Sequence, residues 1–179
     1  MKLWTDIIKP TFILSVIIAF IVGAVVFAYE NTRIDGSEIS PEVMEKAQKL
    51  LNSDQPLERQ EGKFGKFVPY ILKAIDGSGY VVKTEVYGYN KNEPIQMFIV
   101  LNNEKVVLNI EIINHKETPN KASLAFTNNF FDQFIGKTGK FAAKENIDAV
   151  SGATISSKAV ISGVNYALEA LESIHLEEV

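Results

Sequence analysis

Residues Thr11 to Tyr29, TFILSVIIAFIVGAVVFAY, carry no charge over 19 consecutive positions. As a helix, a run of that length spans a hydrocarbon core of about 30 Å. One part of the chain is therefore predicted to cross a membrane while the rest folds beside it. Pro10 suits the first turn of such a helix, where its missing N–H costs nothing. No clear small-x-small cleavage site follows the run, which favours a retained anchor over a cleaved signal. Lys2 and Lys9 precede it, and Arg33, Lys46 and Lys49 follow within about 20 residues, so the flanking charges are near balance. A long folded domain translocates largely regardless of its charge. The expected topology has the N-terminus inside and the domain outside. Its parts are a cytoplasmic tail at 1–10, a span at 11–29, a connector and helical region at 30–79, and a folded domain at 80–179.

Beyond the span, Glu30 to Ile39 is a polar connector with Gly36. Ser40-Pro41 then starts a helix that places Val43, Met44, Ala47, Leu50 and Leu51 on one face. Asn52 to Gly65 mixes Pro, Gly and charges and is expected to be a loop. Residues 80–89, YVVKTEVYGY, and Ile95 to Leu101 are rich in β-branched and aromatic types. After the turn Asn102-Asn103-Glu104, the residues Val106, Leu108, Ile110 and Ile112 alternate with Lys105, Val107, Asn109 and Glu111. That pattern predicts a half-buried antiparallel strand closing a hairpin. It runs out into Asn114-His115-Lys116-Glu117-Thr118-Pro119, where Pro119 ends any ladder. Asn128 to Ile135 is a short helix turning Phe130, Phe131 and Phe134 inward as core. From Ser157 to Leu171 the positions Val160, Ile161, Val164, Leu168 and Leu171 recur at helical spacing. The fold class is α+β, an antiparallel sheet with flanking helices.

Composition narrows the chemistry. With 46% apolar and 22% charged residues the chain is neither disordered nor fibrous. It has no Cys, so it supplies no disulfide framework, iron–sulfur cluster or thiolate zinc site. Two His, at 115 and 175, leave little for a His-based metal site, and His115 suits a turn better than an acid or base. Redox chemistry would need an organic cofactor. Residues 1–29 hold Lys2, Lys9 and Asp6, so of the net −4 the remainder carries −5, which argues against nucleic acid as a partner.

The stretch most able to carry a ligand is Asp148-Ala-Val-Ser-Gly-Ala-Thr-Ile-Ser-Ser157. Ser156 or Ser157 is a natural N-cap for the last helix. Orphan amides and the positive end of the dipole make that terminus an anion site. Gly152 lets the backbone turn without a Cβ in the way, and Ser151, Thr154, Ser156 and Ser157 crowd hydroxyls around it. Lys140 and Lys144 are basic groups within reach of a phosphate, or else solvated loop charges. A capped helix after a Ser/Thr/Gly loop would have the same residues and no ligand.

Asp148-x-x-Ser151-Gly152-Ala153-Thr154 resembles the flavinylation motif D-x-x-(S/T)-G-A-T, with no position substituted. That motif marks the FMN-binding domains in the G subunit of the Rnf complex and the C subunit of the sodium-pumping NADH:quinone reductase. A second resemblance is His115-x-Glu117-Thr118-Pro119, similar to the family's H-x-E-T-P-G-L-G run, although Asn120-Lys121-Ala122 replaces its glycine-rich end. Gly88-Tyr89 and Pro94-Ile95 match a G-Y-G-G-P-I run in part, split by Asn90 to Glu93. The resemblance implies FMN joined to Thr154 through a phosphoester installed by a dedicated FMN transferase, with Ser156 the fallback site. Ser151, Gly152, Ala153 and Ser157 would surround the phosphate, and Asp148 would position the Thr154 hydroxyl for transfer. Glu117 and Thr118 would offer an acceptor and a hydroxyl to flavin polar atoms. It further implies a single-pass membrane protein with an extracytoplasmic FMN-binding domain. Such a chain is an electron-transfer subunit of an Rnf-type ion-translocating ferredoxin:NAD+ oxidoreductase, among other membrane and peripheral subunits and without a complete active site of its own. Its length is closer to the Rnf-type protein than to the longer quinone-reductase one. The alternatives are a flavoprotein of the quinone-reductase type and a non-redox anchored sensor or assembly module whose SGAT turn is only a helix cap.

Overall fold

The computed structural model describes residues 15–16, 18–24, 39–118 and 125–177. The chain divides into two units, Met1–Ser40 and Pro41–Val179. In the first, residues 15–16 and 18–24 are helical. The rest of the charge-free run and most of the connector lie outside the described residues. Among the described residues no helix is long and apolar enough to cross a membrane.

The second unit is built on a five-stranded meander. Strands β1 (Leu57–Arg59), β2 (Tyr70–Ala74), β3 (Tyr80–Val86), β4 (Ile95–Leu101) and β5 (Val107–Asn114) lie side by side in sequence order. Every neighbouring pair is antiparallel. Helices α1 (Pro41–Leu51), α2 (Asn128–Phe131) and α3 (Thr154–Glu177) complete it. β4 and α1 form where the pattern predicts them. The stretch expected to be a loop at Asn52–Gly65 contains β1, a three-residue edge strand with only Leu57 buried, too short to show a period. β2 likewise precedes the expected start of the sheet at Tyr80. β3 stops at Val86, short of the predicted Tyr89, because the Tyr89 and Asn90 amides turn to a side chain instead of a strand.

The predicted alternation in β5 is also corrected. Val107 is fully buried and Leu108 is 42% exposed, the reverse of the expected phase. Leu101 faces Val107 and Val100 faces Asn109, so Leu108 is an extra residue and the parity flips across the bulge.

Register sorts the core into two layers. Ile71, Val82, Ile99 and Met97 share the face under α3. All five predicted inward positions of that helix, Val160, Ile161, Val164, Leu168 and Leu171, are buried. Each contributes about 1.5–3 kcal/mol of hydrophobic stabilisation. The helix lies close to the sheet at Gly163, where a Cβ would sit 2.2 Å from Met97 Cε and 3.2 Å from the Thr84 hydroxyl. Phe130, Phe131 and Phe134 join this layer. Leu72, Val81, Phe98 and Val100 line the other face, where α1 crosses and Lys46 pairs with Glu111 at 3.0 Å.

Tyr70 lies on that second face, edge-on to Phe98 at 6.5 Å. Burial, assisted by the Glu85 carboxylate, pushes its phenol up to about 12, with Arg59 opposing only in part. A folded-state value raised above the unfolded 10 gives stability that is whole below pH 10 and lost as pH climbs through about 12. Alkaline melting curves should therefore fall over that window in the wild type and be flatter in Tyr70→Phe. Parallel curves for the two proteins would refute this assignment.

Candidate functional site

Two loops and one helix end meet at the site. After β3 the chain leaves the sheet at Tyr87-Gly88-Tyr89, and after β5 it passes through His115 to Thr118. These loops are zipped together: Asn90 Nδ2 donates to the Lys116 carbonyl at 2.8 Å, and Lys116 pairs with Glu93. The residues that split the partial Gly-Tyr and Pro-Ile match thus hold the two loops in register.

At their junction stands Glu117, only 4% exposed. Its carboxylate accepts from the Tyr89 amide at 3.1 Å, the Asn90 amide at 2.9 Å and the Ser156 hydroxyl at 2.5 Å. Gly88 makes room for it, since a Cβ there would come within 2.7 Å of Oε1. A buried charge is tolerable when donors saturate it. Here they join the two loops to the first turn of α3.

That turn begins three residues earlier than the periodicity suggested. Thr154 is the first helical residue, so Ser156 and Ser157 lie inside the first turn and are not caps. Ser157 is fully buried; its hydroxyl donates to the Ala153 carbonyl at 3.0 Å and accepts from the Val150 amide at 3.1 Å. It braces the turn from inside and does not line the cleft. Ser156, 3% exposed, is committed to Glu117. Thr154 is exposed, as are Ser151 and Gly152, and Gly152 has φ 80°, the left-handed region that favours glycine. Asp148 is exposed, its backbone held by Gln133, which accepts from the Asp148 amide at 2.7 Å and donates to its carbonyl at 3.2 Å.

A cleft of about 390 Å³ opens here, lined by Tyr89, Glu117, Thr118, Gly152, Thr154 and Ser156, with Ala153 and Ile155. Six of the nine residues singled out in the sequence converge on it, Ala153 included; Asp148, Ser151 and Ser157 do not line it. Lys140 lines a different cleft with Lys105 and Glu169, and Lys144 is an exposed loop residue. His115 packs against the Phe126 ring at 4.7 Å, and its Nδ1 accepts from the Glu117 amide at 3.2 Å, a structural role. Asn120-Lys121-Ala122 lie outside the described residues. Tyr89 and Ile155 were missed as cleft walls; both are exposed apolar side chains, at 66% and 50%, beside the singled-out turn.

The cleft has room for a phosphate-bearing small molecule. Its volume falls in the range of about 300–1,000 Å³ usual for small-molecule sites. It is walled by apolar groups and offers one exposed hydroxyl at a helix start. Among the described residues, the amides of Thr154, Ile155 and Ser156 have no backbone acceptor. Those amides suit an anion.

Residues 88–169 match the model of the FMN-binding domain family. The chain is 34% identical over 97 residues to the G subunit of the proton-translocating ferredoxin:NAD(+) oxidoreductase complex of Clostridium ljungdahlii, covering 50% of this chain and 51% of that protein. It is 30% identical over 141 residues to the G subunit of the Na(+)-translocating ferredoxin:NAD(+) oxidoreductase complex of Acetobacterium woodii, covering 73% and 64%. The chain thus spans between about half and two thirds of the length of these relatives. Among solved structures, Shewanella oneidensis NqrC aligns over 78% of each chain at 17% identity with a TM-score of 0.49. Residues 88–169 are therefore an FMN-binding domain, in a chain related to the G subunits of ion-translocating ferredoxin:NAD(+) oxidoreductase complexes.

Proposed function

We propose that this chain is a membrane-anchored electron-transfer subunit of an Rnf-type ion-translocating ferredoxin:NAD+ oxidoreductase, carrying FMN through a phosphoester on Thr154. The observation that carries the reading is the exposed Thr154 hydroxyl, first in its helix and open to the cleft of an FMN-binding domain. Ser156 is the poorer acceptor, because its hydroxyl is buried and donated to Glu117. The charge-free run at 11–29 would anchor the domain, with its bulk outside the membrane. Other subunits of the complex would deliver and withdraw electrons, and an FMN transferase would mature the protein.

A covalent tether suits the open form of this cleft. It fixes the local concentration of the cofactor, so the protein need not bind it tightly and can leave it accessible to neighbouring subunits. The bound group supplies the redox chemistry, while the protein supplies position and electrostatics. Thr154 holds the phosphate, the first-turn amides and Gly152 accommodate its oxygens, and Glu117 keeps the two cleft walls together. Asp148, six residues before the threonine in the motif, would assist transfer of the flavin to it.

Coexpression with an FMN transferase tests the reading. A fluorescent flavin band that survives full denaturation is expected for the wild type and for Ser156→Ala. A dark wild-type band, with the transferase active on another substrate, would leave the anchored non-redox module as the better description.

A further inference from the structure

Strand β5 ends the sheet, with β4 on one side and no strand among the described residues on the other. Its sequence, VLNIEIIN, has none of the Lys or Pro residues that commonly spoil an open edge. Opposed residues of an antiparallel pair alternate between hydrogen-bonded and non-hydrogen-bonded. Val107 faces Leu101 but turns its backbone groups away from β4. Its amide donates to the Lys137 carbonyl at 2.9 Å, and its carbonyl accepts from the Gly136 amide at 2.8 Å. The alternation continues across the extra Leu108. Asn109 bonds toward Val100, while Ile110, opposite Ile99, and Ile112, opposite Met97, again present their groups to the open side. The Ile110 amide is nevertheless engaged, because the Asn109 side chain accepts from it at 2.8 Å.

We infer that Asn109 and the Gly136-Lys137 strap guard this edge, keeping β5 from pairing with the same strand of a second copy. The pairing they oppose has a definite register. A two-fold axis at Ile110 would set that residue opposite its own copy, the two exchanging amide and carbonyl bonds. Glu111 would then lie opposite Asn109, and Ile112 opposite Leu108, with no like charges facing one another. The Ile- and Val-rich sequence suits a strand so placed. The guard closes this register at two points. Asn109 occupies the central donor, and the strap stands where the incoming strand would reach Val107. The bulge at Leu108 bends the strand between them. What is protected lies further along the same edge. A groove of about 560 Å³ runs from Asn109 to His115, walled by Phe126 and Phe131. A strand laid into it would meet His115, which packs on Phe126 and accepts from the Glu117 amide. Self-pairing would therefore press on the brace behind the Glu117 loop.

The test is sedimentation equilibrium of the full chain in detergent, for wild type, Asn109→Val, Asn109→Asp and Gly136→Ala. Val suits a strand but has no acceptor, whereas Asp keeps one. Gly136 has φ 76°, and a Cβ there would meet nothing within 4 Å, so Ala loosens the strap by backbone strain alone. A two-fold pair of Asn109→Val chains gains two freed amides, which should tighten self-association about tenfold or more over wild type. Hydrogen exchange at the Ile110 amide should be faster than wild type in dilute Asn109→Val and slow again as concentration rises. Asn109→Asp should behave as wild type, and Gly136→Ala should tighten association on its own. Adding Leu108→Lys to Asn109→Val places a charge opposite Ile112 of the copy and should restore the wild-type state. Should Asn109→Val fail to fold, Gly136→Ala decides. Equal association of wild type, Asn109→Val and Gly136→Ala would overturn the inference. So would association of Asn109→Val that Leu108→Lys leaves unchanged.

Discussion

Thr154→Ala should abolish covalent flavin completely, leaving no fluorescent band after denaturation while the purified protein melts as the wild type does. The proposed phosphoester forms on the Thr154 oxygen, and the other hydroxyls of the motif are not equivalent to it. Ser157 is fully buried and bonded at both ends, Ser156 is held by Glu117, and Ser151 lies outside the cleft. Thr154 itself is exposed, so its removal costs the fold little. Thr154→Ser is the control, since it keeps the hydroxyl. A full-strength band in Thr154→Ala would move the attachment site and end this assignment.

The second large effect concerns Glu117. Its removal as Glu117→Ala leaves the buried Ser156 hydroxyl and two partly buried backbone amides without their acceptor. Each unsatisfied group costs about 1–3 kcal/mol, so the loss should be about 3 kcal/mol or more, seen as a lower urea midpoint with the slope unchanged. Gly88→Ala attacks the same carboxylate from the other side, where a Cβ has no room. The two changes share one mechanism and should not add, so Gly88→Ala should cost much less in the Glu117→Ala background. Additive losses, or a loss below about 1 kcal/mol for Glu117→Ala, would show that the carboxylate is not the join between the loops.

Local pattern carried much of this molecule. The β-branched run Ile95–Leu101 and the five-residue helical stripe from Val160 to Leu171 are each buried as their spacing requires. Thr154 could be singled out because the turn before the last helix matches a specific motif. What escaped was either too short for a period or settled by distant partners. β1 has three residues, and β5 loses its alternation at an inserted Leu108. The hydroxyls of Ser156 and Ser157 looked alike as caps. One is claimed by a carboxylate 39 residues away and the other by the Ala153 carbonyl, and no neighbouring residue announces the first. The Gln133 clamp on the Asp148 backbone is equally non-local.

The place of α3 in the chain has a consequence for biogenesis. The meander joins strands adjacent in sequence, so its hairpins can form as the polypeptide is synthesised. The layer containing Val82, Met97 and Ile99, however, stays uncovered until the last helix docks across β3 and β4. Thr154, the proposed acceptor, is the first residue of that helix. With flavin attached at Thr154 as proposed, a chain would become a substrate for maturation only when its core closes, and loading would then select molecules that have finished folding.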